Sequence, residues 1–166
     1  MRVLDCPIKS YAVAGVVALA CLVFVASGVA STAALPNPCT LLARAHPERT
    51  FGAGKMLAVK DRKLQKYGSG LSASASCSET VGTQPVVLSL FGAGAGGYAG
   101  VKVTSQTHPS GLGSGAALIV GTAAGGGGPV DFVVFHKSSV YVDASANGAS
   151  PTVLTTFARQ IYKALP

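Results

Sequence analysis

The chain has 166 residues, a formal net charge of +7, only 11% charged residues and 21 glycines. Beyond an apolar leader it is long enough for one domain with a real core and too short for two. Low charge with abundant Ala, Gly, Ser and Val reads as an exported protein, for which nucleic acid is not an expected partner.

Tyr11 to Ala30 carries no charged residue over a length that spans roughly 30 Å as a helix. Arg2 and Lys9 precede it and no charge comes after it before Arg44, which orients the amino terminus to the cytoplasm and the remainder outward. Residues 1–30 therefore read as a cleaved signal peptide, with Gly28-Val29-Ala30 before Ser31 as the cleavage site, or as an uncleaved membrane anchor. Lipidation at Cys21 is the third fate, but Ala18-Leu19-Ala20-Cys21 is a poor lipoprotein signal, and a small apolar residue in a helix is the preferred reading.

Residues 31–38 form a linker of small residues and proline, and 39–166 the extracytoplasmic domain. Asn37-Pro38 predicts a helix starting near Cys39, with Leu41, Leu42 and Ala45 on its apolar face. Pro47 breaks or restarts it, and Gly52 suits an end. Lys55 to Tyr67 is ambiguous by period and leans toward an exposed strand or loop. It holds the densest positive stretch, Lys55, Lys60, Arg62, Lys63 and Lys66, opposed only by Asp61. Such a stretch suits an acidic envelope polymer or anionic lipid, although a run of charge is most often a solvated face.

From Leu71 the period becomes two, placing Cys77 inward. Gly82 to Pro85 predicts a turn and Val86 to Phe91 a strand pairing back. Tyr98 to Thr107 reads as a short helix with Tyr98, Val101 and Ser105 on one face. Ala116 to Thr122 is a strand. Val130 to His136 and Val140 to Asp143 form a hairpin turning at Lys137-Ser138-Ser139. Ser150 as N-cap and Pro151 at the first position open the clearest helix, whose Val153, Leu154, Phe157, Ala158, Ile161 and Leu165 face the sheet while Gln160 lies on the far side. The fold class is α+β: an antiparallel sheet of about five strands with an N-terminal and a C-terminal helix packed on it.

Cys39 and Cys77 are the only cysteine pair in the exported part and are expected to form a disulfide in an oxidising compartment. A metal site lacks ligands, because His46, His108 and His136 are scattered. Gly92 to Gly97 matches G-x-G-x-x-G, but no acid stands about twenty residues on, and composition explains the match. Phe51 to Lys55 lacks the earlier glycine and the hydroxyl of a phosphate loop. Ser114 is the most tempting nucleophile, yet its surroundings are not G-x-S-x-G, and His108, His136, Asp131 and Asp143 would serve it only if the fold gathered them. Five scattered carboxylates give no acid/base pair. The expectation is a non-catalytic domain without a cofactor.

Pro38-Cys39-Thr40-Leu41-Leu42 after an export leader, Cys77 at the head of the sheet, Gly111 to Ala116, the Val130 to Val142 hairpin and a last helix ending Ala158-Arg159-Gln160-Ile161-Tyr162 together resemble the small exported actinobacterial lipoproteins that share an uncharacterised domain. The resemblance implies helices against an antiparallel sheet, a Cys39–Cys77 bridge, a cell-envelope location and no established activity. The chain departs from it in lacking a convincing lipid-accepting Cys and in having Ser78 where an aromatic residue often comes after the second Cys. The function expected is thus a secreted or membrane-anchored binding domain of the envelope, with a structural wall-associated role or an extracytoplasmic hydrolase as alternatives. An enzyme would show convergent His, Ser and Asp in a pocket, which a binding domain lacks; the place to look is beside Val130 to Asp143.

Overall fold

Asn37 caps the first helix as its side chain requires: Oδ1 accepts the amide N–H groups of Cys39 at 2.9 Å and Thr40 at 3.3 Å. The computed structural model describes residues 34–67, 73–92, 101–124 and 127–166, all within one compact unit, Thr32–Pro166. The leader, with its signal, anchor and Cys21 readings, lies outside the described residues. Among those described, no helix is long and apolar enough to cross a membrane.

The first helix, α1 (Pro38–Ala45), ends at His46 in a left-handed conformation (φ 49°), and Pro47 restarts the chain as α2 (Pro47–Thr50). Seven strands come next: β1 (Val59–Tyr67), β2 (Ser74–Val81), β3 (Gln84–Phe91), β4 (Val101–Thr107), β5 (Ala117–Ala123), β6 (Pro129–Lys137) and β7 (Val140–Ala146), before α3 (Pro151–Ala164). They form one sheet in the order β1-β2-β3-β7-β6-β5-β4, every pair antiparallel.

Two elements account for seven strands instead of about five. The ambiguous segment, which leaned toward an exposed strand or loop, is the edge strand β1. The expected helix after Tyr98 is the opposite edge strand, β4, whose Val101, Val103, Thr104 and Thr107 are β-branched residues that run along β5. The glycine-rich stretch before it, with its G-x-G-x-x-G match, lies outside the described residues from position 93 on.

Register explains the core. Cys77 stands opposite Leu88, Leu88 opposite Ala144, Ala144 opposite Val133, and Val133 opposite Leu118. This row and its neighbours two residues away make the apolar face that α1 and α3 cover. Leu41, Leu42, Leu154, Phe157, Ala158 and Ile161 join it in a single buried cluster. Phe51, just after α2, packs against Phe157 with ring centroids 5.2 Å apart. A smaller cluster of Ala117, Ile119 and Phe132 lies on the other face, which elsewhere carries Ser76, Ser78, Ser89, Asp143 and Ser145 by the same alternation.

The Cys39–Cys77 disulfide is formed, with Cα atoms 5.1 Å apart, and it ties the first turn of α1 to the centre of β2. The last helix is capped at both ends. Ser150 Oγ accepts the Val153 amide N–H, and Lys137 Nζ donates to the carbonyls of Tyr162 (3.2 Å) and Leu165 (2.6 Å), where a cation meets the negative end of the helix. Gln160 is not on a free face. It is half-buried, and its Oε1 accepts from Thr50 Oγ1 at 2.7 Å, because α2 packs on α3 and turns that face inward.

Candidate functional site

Two tight turns and the start of α3 meet at one end of the sheet. At the β2–β3 turn Gly82 takes φ 64°, a backbone state open to glycine, and a side chain there would press on Leu57, 3.2 Å away. Its amide N–H donates to the Ala58 carbonyl at 2.7 Å, which holds the segment before β1 against the turn. Across from it, the chain leaves β7 through Gly148 (φ 78°) and reaches the Ser150 cap. Gln84 joins the two sides, its Nε2 donating to the carbonyl of Asn147.

These parts enclose a cleft of about 440 Å³, within the range of small-ligand sites. Phe51 and Leu57 form one wall, Val81 to Gln84 a second, and Gly148 to Ser150 with Val153 the third. Its chemistry is apolar aromatic and aliphatic surface with the polar groups of Thr83, Gln84 and Ser150. Among the described residues no ionisable side chain lines it. None of Val130 to Asp143 does either: the cleft lies away from the expected place, where the β2–β3 turn and the start of α3 converge. Sequence reading identified the β2–β3 turn and the N-cap, but nothing in the spacing of Gly82 and Gly148 says that they face one another.

The five basic residues do not make one patch. Lys55 lies in the turn before β1. A bulge on β1 sets Asp61 and Arg62 together between the pairs Lys60↔Thr80 and Lys63↔Ser78, and Asp61 takes φ 55°. The extra residue keeps Lys60 and Lys63 on one face, with Ser78 and Thr80, while Lys66 pairs with Ala75 on the helix-bearing face. Arg62 leaves the group, since its Nε donates to Glu79 Oε2 at 2.6 Å. The carboxylate of Glu79 is fully buried, with its second oxygen, Oε1, lacking a hydrogen-bond partner among the described residues.

The residues considered for hydrolysis are partly gathered. Gly115 packs so closely on the His136 ring that a Cβ there would lie 3.2 Å from it, which sets the Ser114 loop beside His136. His136 pairs with Tyr141, and Asp143 with Val134, on the same face of the sheet. No hydrogen bond joins Ser114, His136 and Asp143 among the described residues. His108 is engaged elsewhere: its Nδ1–H donates to the Ala116 carbonyl at 3.0 Å. Asp131 pairs with Val120 and so belongs to the opposite face. Burial pushes the Asp143 carboxyl up to about 6, since a charge there loses solvation. Among the described residues no group of His, Cys, Asp and Glu is placed to hold a metal ion.

No protein-family model matches the chain, and no curated protein or solved structure does.

Proposed function

We propose that this chain is a non-catalytic cell-envelope domain, secreted or membrane-anchored, that binds an uncharged and largely apolar ligand group in the cleft between the β2–β3 turn and the start of α3. The cleft itself carries the reading. It has the size of a ligand site, walls of Phe51, Leu57, Val81 and Val153, and three neutral polar side chains to orient a guest. A charged group would lose its hydration there without meeting an opposite charge. The extracytoplasmic placement draws support from the Cys39–Cys77 disulfide and from the apolar, charge-free Tyr11 to Ala30, and the envelope family from the resemblance noted above.

The test uses N-phenyl-1-naphthylamine, a neutral apolar probe that fluoresces when it leaves water. The parent should enhance its emission, and Val153→Trp, which fills the cleft from the half-buried first turn of α3, should abolish the enhancement while keeping the parent's circular dichroism. Equal enhancement by both proteins would refute the cleft as the site. In an esterase and peptidase screen the parent, Ser114→Ala and His136→Ala are all expected at background; turnover by the parent that vanishes in either variant would put an extracytoplasmic hydrolase in its place.

A further inference from the structure

Among the described residues β1 is paired on one side only, by β2, so its other edge presents backbone donors and acceptors with no strand beside them. Edge strands are a hazard that charge and bulges blunt, and both edges of this sheet carry a bulge. The two edges differ in side chains. On β4 the single cation is Lys102, among Val, Thr, Ser and Gln. On β1, Lys60, Lys63 and Lys66 form no ion pair among the described residues, and Arg62 is committed to Glu79. Of the five exposed large hydrophobic residues among those described, three, Met56 (70% exposed), Val59 and Leu64 (41%), lie on or just before the same strand. Protection alone accounts for the cations. It does not account for apolar side chains set among them.

We infer that β1 is a docking edge for an extended acidic segment of another protein, which adds to the sheet as an eighth strand. The choice of occupant rests on charge. A second copy of this chain pairing edge to edge would set lysine against lysine, whereas an acidic strand meets each cation with a carboxylate. Register makes the requirement specific. Along Lys63–Tyr67 the ladder is regular, with Lys63 on one face, Leu64 and Lys66 on the other. An antiparallel guest therefore needs an acid opposite Lys66, an apolar residue opposite Leu64 two positions later, and an acid opposite Lys63 immediately after that. The pattern is acid, any residue, apolar, acid, in extended conformation, with main-chain hydrogen bonds supplying affinity and alternate side chains the selectivity. This site is independent of the cleft.

The experiment is a titration of the isotopically labelled protein with the peptide Thr-Val-Glu-Thr-Val-Glu-Val-Thr, monitored through its backbone amide resonances. Shifts confined to Val59–Tyr67 and its β2 neighbours are expected, weakening with salt as exposed charge pairs do. Lys60→Glu with Lys63→Glu should weaken binding by about tenfold or more. The same peptide with alternate amides N-methylated, made in both registers, keeps its charges; one register should fail to bind because it lacks the donors that face β1. Equal binding of both methylated peptides, or equal competition by polyglutamate, would overturn strand addition and leave a simple cationic surface. Binding to vesicles rich in phosphatidylglycerol without binding to the peptide would overturn it in favour of a membrane contact. Resonances of β4 moving as much as those of β1 would also refute it.

Discussion

Arg62 donates from Nε to Glu79 Oε2 across the bulge at the edge of the sheet, a cation from an exposed strand reaching a carboxylate that has no contact with solvent. The bulge makes this possible by turning Arg62 onto the helix-bearing face while its neighbours Lys60 and Lys63 stay on the other. The pair anchors β1 to β2 and separates one structural cation from three that remain open.

Removing Arg62 strands a buried charge, so Arg62→Ala should lower stability by about 2 to 4 kcal/mol. Lys63→Ala, an exposed cation without an ion-pair partner, should stay within about 0.5 kcal/mol of the parent. Replacing both members of the pair, Arg62→Met with Glu79→Leu, should recover most of the loss, because no charge is then left buried. Urea unfolding of the four proteins measures all of this; a harmless Arg62→Ala would mean that Glu79 finds another partner.

The disulfide closes a loop with a sequence separation of 38. In the chain-entropy description it contributes about 4 kcal/mol. Cys39→Ala with Cys77→Ala should therefore unfold at markedly lower denaturant, and the non-reduced parent should resist alkylation until a reductant is added. Two thiols that alkylate in the non-reduced folded protein would contradict the bridge.

Phe157, on α3, is fully buried in the core between the helix and the sheet, against Phe51. Phe157→Ala should cost about 3 to 5 kcal/mol. Gln160→Ala should cost about 1 kcal/mol, the worth of one part-buried hydrogen bond, and Thr50→Ala about the same. A double-mutant cycle between Thr50 and Gln160 should return most of that energy as coupling. Additive losses would mean the α2–α3 hydrogen bond does not form in solution.

Asp143 makes stability depend on pH in the opposite direction from an ion-paired carboxylate. Burial raises its pKa in the folded protein to about 6, above the value of an unfolded aspartate, so the folded state holds the proton more tightly. This contribution favours folding most below about pH 4, declines as pH rises to 6 and is level above that, a fall of about 2 to 3 kcal/mol. Asp143→Asn should flatten the profile between those limits and raise stability at pH 7. Denaturation curves taken at one-unit pH intervals check it, and unchanged slopes in the variant would assign the pH dependence to another group.

Some features needed only local chemistry and were legible in the residues. Asn37 before Pro38 and Ser150 before Pro151 state where helices begin, because capping and the missing proline N–H act within one turn. The alternation from Ala73 to Cys77 states which way Cys77 faces, since a strand's side-chain period is two, and Cys39 and Cys77, the one cysteine pair beyond the apolar stretch of residues 11–30, were the partners the sequence offered for a bridge. Other features depended on partners far along the chain. β4 became a strand because β5 offered an edge for Val101 and Val103, and β1 because β2 did. The bulge at Asp61 reversed which lysines share a face, a change of parity that no periodicity reports. Gln160 turned inward because α2 packed there, and Lys137 found the end of α3 across a distance of 25 residues. The cleft is the plainest case. Gly82 and Gly148 each specify a turn locally, but only the pairing of β3 with both β2 and β7 brings those turns to the same end of the sheet, where the space between them is the cleft.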